Sequence, residues 1–188
     1  AEFLLASALE LAPNHIHARS QYLNLLNRLG KYKVAQQQVD KLLIEQPNNL
    51  TFKVAKANAL NGLGDIDQAI TLFKQAITQA TTQITNAEND HKIAGFYLQL
   101  GHALKAKGEM GQAVEAYQQA YQLKPSYGDA FWSLANTKTY RFSDEEINQM
   151  QAQQSNSNSA IIDRIQVNCA TGKDFEDRQE YDQAFSAY

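Results

Sequence analysis

The chain has 188 residues with 17 basic and 20 acidic side chains, a net charge of −3 and 44% hydrophobic residues. No basic stripe or block stands out, so neither nucleic acid nor an anionic membrane is an expected partner. No apolar run approaches the roughly 18 residues of a membrane-spanning helix, and no signal peptide is expected at the start. The single cysteine, Cys169, has no partner for an internal disulfide, which favours a reducing, cytoplasmic location.

The first predicted elements are a partial hairpin in residues 1–15 and a complete helical hairpin in residues 16–49. Large apolar residues recur three and four apart in both segments, as on one face of an α-helix. Gly30 is predicted to separate the two helices of the complete hairpin, and Ala35 to lie where they approach closely. Because residues 1–15 supply only a second helix, we expect a missing upstream helix and a longer parent protein.

Residues 50–93 repeat the pattern, with Gly64 between the helices and Ala69 at the close contact. An insertion near 81–92 then lengthens the period. Because apolar residues in it keep helical spacing, we expect the second helix to overrun by nearly three turns and to turn around Asn86–Asp90. A polar surface loop is the alternative.

Residues 94–127 form the most complete unit, in which Tyr97, Leu100 and Leu104 share one helical face. Small residues are predicted where helices meet, and proline is predicted to end the second helix, because it lacks an N–H and clashes with the preceding turn. The structural positions of this unit are Gly101, Gly108, Ala113, Ala120 and Pro125.

The remaining chain departs from the pattern. Residues 128–141 predict the first helix of another hairpin. Within residues 142–164, the segment Ser143–Glu146 has the sequence of a capping box and predicts a helix start. That helix fades into the Gln/Ser/Asn-rich run 151–159, which predicts a linker or mobile loop. Residues 165–188 resume the repeat and predict a partial terminal hairpin.

This pattern resembles the tetratricopeptide repeat (TPR), with an aromatic residue, Leu-Gly, Ala, aromatic, Ala and Pro at constant positions of a roughly 34-residue period. The residues that carry the resemblance are Tyr97, Leu100, Gly101, Ala113, Tyr117, Ala120 and Pro125. It implies an all-α, right-handed α-solenoid of TPR helical hairpins. It also implies a concave groove lined by the first helices of the hairpins.

Residues 125–188 are also similar to the TPR region that precedes the catalytic domain of bacterial sulfotransferase proteins. The similarity rests on the Trp-Ser-Leu-Ala-Asn element at 132–136, the aromatic corner at 140–142 and the capping box that follows. It implies an adjoining downstream domain that transfers sulfate from the nucleotide donor PAPS. These 188 residues contain no group suited to that reaction.

No catalytic, metal or cofactor site is predicted in the chain itself. Gly172-Lys173 lacks the closely spaced glycines of a phosphate-binding loop, and packing explains it better. The histidines show no metal-ligand spacing. The paired carboxylates lie on predicted helix starts or faces, where solvation and the helix dipole account for them.

The resemblance to TPR proteins implies which side chains face the groove. These candidates are Asn24, Arg28, Asn58, Leu98, His102, Lys105, Trp132, Asn136 and Tyr140. Asparagine both donates and accepts hydrogen bonds, so a ladder of asparagines would hold the main chain of an extended peptide. A purely structural role for them is the alternative. Trp132 would either form an aromatic anchor with Tyr140 or pack into the irregular hairpin that follows.

The predicted function is protein or peptide binding in the concave groove, by the non-catalytic N-terminal part of a larger protein. One alternative is a substrate-recognition or regulatory arm of a sulfotransferase. The other is a structural spacer or oligomerisation module that self-associates through apolar faces at the ends of the chain. The identity of the ligand does not follow from the sequence.

Overall fold

The computed structural model describes residues 2–82, 87–154 and 159–188. Within these ranges the chain forms eleven helices and no strand, which confirms the predicted all-α fold class. Contacts divide the chain into two compact units, Ala1–Ile84 (unit 1) and Thr85–Tyr188 (unit 2). The helices are α1 (Glu2–Leu11), α2 (Ile16–Arg28), α3 (Tyr32–Glu45), α4 (Leu50–Leu63), α5 (Ile66–Thr81), α6 (Ala87–Lys107), α7 (Met110–Leu123), α8 (Gly128–Ala135), α9 (Asp144–Gln154), α10 (Ile161–Asp177) and α11 (Tyr181–Ala187).

Unit 1 consists of helices that pack on their neighbours in the sequence. The helix α1 packs against α2, and α2–α3 and α4–α5 form two hairpins that meet through α3 and α4. Leu23, Val39 and Phe52 form a buried cluster between α2, α3 and α4. Burying a side chain of this size contributes about 1.5–3 kcal/mol. Ala35 and Ala69 are completely buried, as expected for small residues at close helix contacts.

Glycines with a left-handed backbone end the first helix of three hairpins. Gly30, Gly64 and Gly108 have φ angles of 71°, 88° and 89°, so the predicted breaks between helices are confirmed. Glycine adopts this conformation at little cost because it has no Cβ atom. At the equivalent position after α10 the chain has Gln179, with a φ of 64°. This residue therefore carries a strain that glycine relieves in the other hairpins.

The hairpin of α6 and α7 is held together by a tyrosine that lies on a glycine. Tyr117 is completely buried, and a Cβ atom added to Gly101 would overlap its ring. Ala113 and Ala120 are also completely buried on α7. The helix α7 ends at Leu123, before Pro125, as predicted. The small residues of this unit therefore make room for a large aromatic side chain.

The rest of unit 2 is organised around α10, which packs against α8, α9 and α11. The N–H of Gly128 donates to the Asp163 carboxylate at 3.1 Å, and Lys124 lies 3.6 Å from the same carboxylate. Arg178 donates to the carbonyl oxygen of Phe142 at 2.5 Å. These bonds attach both the start of α8 and the segment before α9 to α10.

The prediction for the insertion near 81–92 is wrong in its direction. The helix α5 ends at Thr81 and does not overrun, whereas α6 already begins at Ala87. Residues 87–93 thus lengthen the first helix of the next hairpin. The predicted turn around Asn86–Asp90 is also wrong for residues 87–90, which are helical. Residues 83–86, including Ile84 and Asn86, lie outside the described residues.

The irregular fourth hairpin differs from its prediction in length. The helix α8 ends at Ala135, six residues before the expected limit of 141. The capping box is confirmed, since Ser143 N–H donates to Glu146 and Glu146 N–H donates to the Ser143 hydroxyl. The helix α9 then continues to Gln154, so the first part of the predicted 151–159 linker is helical. Residues 155–158 lie outside the described residues, and α10 begins at Ile161, before the expected start at 165.

We expect Gly101→Ala to lower the free energy of unfolding by about 1–3 kcal/mol, because the added methyl group overpacks against the ring of Tyr117. Gly111 is the matched control, since it is helical but has nothing within 4 Å of an added Cβ. Gly111→Ala should therefore stabilise the protein by about 0.4–1 kcal/mol. Urea denaturation measures both changes. Equal effects of the two substitutions would contradict the packing assigned to Tyr117.

Gln179→Gly should raise the free energy of unfolding by about 0.5–1 kcal/mol, because it relieves a left-handed backbone. The reverse exchange at an equivalent position, Gly108→Ala, should be destabilising by about 1–2 kcal/mol for the same reason. Thermal melts followed by circular dichroism test the pair. A melting temperature that falls with Gln179→Gly would argue against strain at this residue.

Candidate functional site

In unit 1, the predicted groove residues lie on the two first helices α2 and α4, which pack against each other. Asn24 and Arg28 are exposed on α2, and Asn58 is half-buried on α4. Neither Asn24 nor Asn58 is engaged in a hydrogen bond with other described residues. Their amides, at the same repeat position of successive hairpins, are therefore available to a ligand. We refer to Asn24, Arg28 and Asn58 as the unit 1 surface.

The sequence reasoning overlooked Asn27, which connects α2 to α4. Its Nδ2 atom donates to the carbonyl oxygen of Ala55 at 3.1 Å. Its Oδ1 atom is buried without a hydrogen-bond partner among the described residues, as is the Oδ1 atom of Asn61. Asn27 and Asn61 share one repeat position, the position at which Lys105 was selected in unit 2. Comparing the repeats at that position would have identified both.

Unit 1 also contains a cleft of about 290 Å³ between α1, α2 and α3. Leu9, Leu23 and Leu42 supply its apolar lining, and Glu10 and Arg19 supply charged groups. Arg19 also donates to the carbonyl oxygen of Pro13. Hydrophobic spacing predicts the helices but not the gap between them, so this cleft could not be predicted from the sequence.

In unit 2, His102 combines partial burial with a hydrogen bond to the core. Its Nδ1 atom lies 3.0 Å from the hydroxyl of Tyr117, and the two rings meet edge to face. Burial lowers the pKa of the His102 imidazole, an effect that Asp129 opposes and Lys105 reinforces. Burial, followed by the charge of Asp129, raises the pKa of Tyr117 to about 12. Both groups are therefore neutral near pH 7.

Lys105 and Asn136 join α6 to the end of α8. The Lys105 ammonium donates to the carbonyl oxygen of Asn136 at 3.2 Å. Asn136 caps the C-terminus of α8, and its Nδ2 atom donates to the carbonyl oxygen of Trp132 at 2.9 Å. Its predicted place within a longer first helix is therefore wrong, because that helix ends one residue earlier. We refer to His102, Lys105, Trp132 and Asn136 as the unit 2 surface.

Two predicted groove residues of unit 2 do not lie as expected. Leu98 is only 2% exposed, so it belongs to the core and does not line a groove. Trp132 is half-buried, but Tyr140 packs edge-on against Phe142 at a centroid distance of 5.1 Å. This contact does not decide between the two interpretations of Trp132, so its pairing with Tyr140 as an aromatic anchor stays a prediction. Tyr140 follows α8 and lies in the segment that leads to α9.

Tyr140 instead belongs to a hydrogen-bonded cluster around Glu146. The hydroxyls of Tyr140 and Tyr121 both donate to Oε1 of Glu146 at 2.5 Å, and Gln118 donates to the Tyr140 hydroxyl at 2.9 Å. The other carboxylate oxygen of Glu146 accepts from the N–H of Ser143 at 2.9 Å. Burial and the Glu146 carboxylate raise the pKa of both tyrosines. The cluster thus connects α7, the aromatic corner and the start of α9.

The described residues contain no group of three or more His, Cys, Asp or Glu side chains that would hold a metal ion. No helix among them is long and apolar enough to cross a membrane. A Cβ atom added to Gly172 would meet the ring of Tyr188, and Lys173 pairs with Asp177 at 2.7 Å. The packing interpretation of the Gly172-Lys173 pair is therefore confirmed.

Comparison with known families identifies the repeats. Residues 97–138 match the family model described as TPR repeat, and residues 23–84 match the model described as tetratricopeptide repeat. The chain is also 33% identical over 95 residues to the small glutamine-rich tetratricopeptide repeat-containing protein 2 of Mycosarcoma maydis. That match covers 50% of this chain and 24% of the relative, so the chain spans about a quarter of the relative's length.

Solved structures show the same fold. The nearly identical TPR-like repeats of a Podosopora anserina protein superpose with a TM-score of 0.66 at 15% identity, covering 93% of each chain. YrrB, a TPR protein described as having an unusual peptide-binding site, superposes with a TM-score of 0.53 at 18% identity, covering 100% of this chain and 90% of YrrB. These structural matches are below 25% identity and therefore show the fold alone, an array of TPR-type helical hairpins.

Glu146→Gln should lower the free energy of unfolding by about 1–3 kcal/mol, because an amide accepts hydrogen bonds at one atom only and loses the charge that strengthens them. The neighbouring Glu145 is exposed and serves as the control. Glu145→Gln should stay within about 0.5 kcal/mol of the wild type. Urea denaturation gives both values. The role assigned to the cluster fails if Glu146→Gln is as stable as Glu145→Gln.

Proposed function

We propose that this chain, a tetratricopeptide repeat protein, is a scaffold that binds an extended protein segment or peptide through side chains of its first helices. Each unit offers such a surface. The observation that carries the proposal is the pair Asn24 and Asn58, whose amides occupy one repeat position on packed helices and bond to no other described residue. Repeat proteins use such extended surfaces for binding, and YrrB provides a peptide-binding example of the fold.

The chemistry of the unit 1 surface suits a peptide main chain. An asparagine amide donates two hydrogen bonds and accepts others, so it pairs with both the C=O and the N–H of a peptide unit. Such contacts fix the direction of a bound segment without reading its side chains. The exposed Arg28 adds a positive charge on α2, which favours a ligand with an acidic side chain.

The unit 2 surface has a different composition and suits an acceptor-rich segment. Lys105 keeps further N–H groups beyond the one that it donates to Asn136, because an ammonium has three donors. Trp132 is half-buried on α8 and offers part of a large aromatic ring. Aromatic side chains provide much of the binding energy at protein interfaces. We therefore propose that each surface contributes to recognition with its own chemistry.

Peptides selected from a random phage-displayed library provide the test. The peptides are selected on the whole chain. We expect the double variant Asn24→Ala/Asn58→Ala to bind those that contact the unit 1 surface about tenfold more weakly, because each lost hydrogen bond contributes about 0.5–1.5 kcal/mol. Fluorescence polarisation with labelled peptides measures the affinities. Asn136 is left out of the variant, because its amide already caps α8.

The matched control carries Gln37→Ala and Gln75→Ala, which remove exposed amides from the second helices α3 and α5. It should bind the selected peptides as the wild type does. If both double variants lose the same affinity, the first helices are not the binding surface. A library that yields no binder would favour a structural spacer, the alternative function.

Self-association is the second candidate function, and exposed apolar side chains favour it. Phe3 and Leu4 on α1 are 79% and 70% exposed, and Phe185 on α11 is 84% exposed. Exposed apolar side chains in this number favour contacts with another protein surface. The adjoining sulfotransferase domain and the cytoplasmic location remain proposals that rest on the sequence resemblance and the lone cysteine.

A further inference from the structure

The starting point is the hydroxyl group of Tyr117. The side chain is completely buried between α6 and α7, and its hydroxyl lies 3.0 Å from Nδ1 of His102. No other hydrogen bond of this hydroxyl exists within the described part of the chain. A buried hydroxyl that donates to nothing is costly, so the pair is satisfied best when the Tyr117 hydroxyl donates and Nδ1 of His102 accepts.

This hydrogen bond determines where the imidazole carries its own hydrogen. In a neutral imidazole one nitrogen donates and the other accepts. Since Nδ1 accepts from Tyr117, the hydrogen of His102 resides on Nε2. Burial lowers the pKa of His102, which agrees with the neutral form.

The Nε2 atom reaches the surface of unit 2. His102 is half-buried. Its Nε2 atom is not among the described polar atoms that are both buried and without a hydrogen-bond partner. Because Nε2 has no hydrogen-bond partner among the described residues, it must therefore contact solvent. His102 thus presents a neutral Nε2–H donor to solvent, and the hydrogen bond with the buried Tyr117 holds its ring in place.

We propose that Tyr117 fixes His102 as the Nε2–H tautomer, and that this N–H forms a subsite for a main-chain carbonyl oxygen of a bound peptide. The tautomer is a property of the free protein. The subsite rests on the proposed peptide-binding function.

The charges around His102 favour a neutral oxygen over a carboxylate. Asp129 on α8 and Lys105 on α6 both act on the imidazole, with opposite sign. The effect of Asp129 is the larger of the two, so the net local charge would repel an anionic ligand. A peptide carbonyl accepts the Nε2–H hydrogen bond without that repulsion.

Nitrogen-15 NMR of the imidazole rings tests the tautomer in the free protein. We expect Nε2 to be protonated and Nδ1 to be unprotonated, with the His102 signal assigned by its loss in His102→Asn. His15 is an internal reference, because its Nδ1 atom accepts from the N–H of Ala18 at 3.2 Å. In Tyr117→Phe, which keeps the ring on Gly101, the His102 signal should shift toward a mixture of tautomers and its pKa should rise.

The proposed tautomer is overturned if Nδ1 is protonated in the wild type or if Tyr117→Phe leaves the His102 signal unchanged. For the subsite, peptides selected on the whole chain that contact the unit 2 surface should bind His102→Leu about fivefold more weakly, as expected for one lost hydrogen bond. They should bind His102→Gln, which keeps a donor, nearly as they bind the wild type. Equal affinities for wild type and His102→Leu would remove the subsite but not the tautomer. A library without binders overturns the proposed function and the subsite together, while NMR decides the tautomer independently.

Discussion

The contact of Tyr117 with Gly101 is the constraint on which unit 2 depends. A helical hairpin buries its apolar faces only if the two helices approach closely, and a large ring fits between α6 and α7 because Gly101 has no side chain. The same ring carries a hydroxyl to the edge of the core, where it meets His102. One residue therefore sets both the spacing of the helices and the chemistry of the surface above them.

The same combination of a small residue and a ring recurs in two further hairpins. Gly172 on α10 lies against the ring of Tyr188, at the positions that Gly101 and Tyr117 occupy in their hairpin. In the α4–α5 hairpin Ala57 and Phe73 take these positions and are both completely buried, so a slightly larger small residue is combined with a ring without a hydroxyl. The small residue and the ring therefore recur in three hairpins, whereas the α2–α3 hairpin has the buried Leu23 and Val39 at these positions. A hydroxyl on the ring is particular to the tyrosines.

Periodic features of the fold were predictable because the same residue types recur at the same positions of successive repeats. The left-handed Gly64 and Gly108, the buried Ala113 and the capping box at Ser143 all follow from local chemistry at fixed positions. The helix that the insertion extends was not predictable, because helical spacing in residues 81–92 fits a longer α5 as well as a longer α6. Which helix grows depends on packing that a one-dimensional pattern does not contain.

The surfaces show the same division between local and tertiary information. Repeat position placed Asn24 and Asn58 on first helices that pack together, but it also placed Leu98 in a groove although the core covers it. The repeat pattern also placed Asn136 and Tyr140 within a first helix, but α8 ends at Ala135. Beyond that residue, Tyr140 bonds to Glu146, and α10 packs against α8, α9 and α11.

A repeat position therefore predicts the face of a helix only while the helix continues. The hydrogen bond that orients His102 joins two helices, so it became visible only in three dimensions. If that hydrogen bond controls the donor at the surface, a change at the buried Tyr117 alters recognition without touching a ligand.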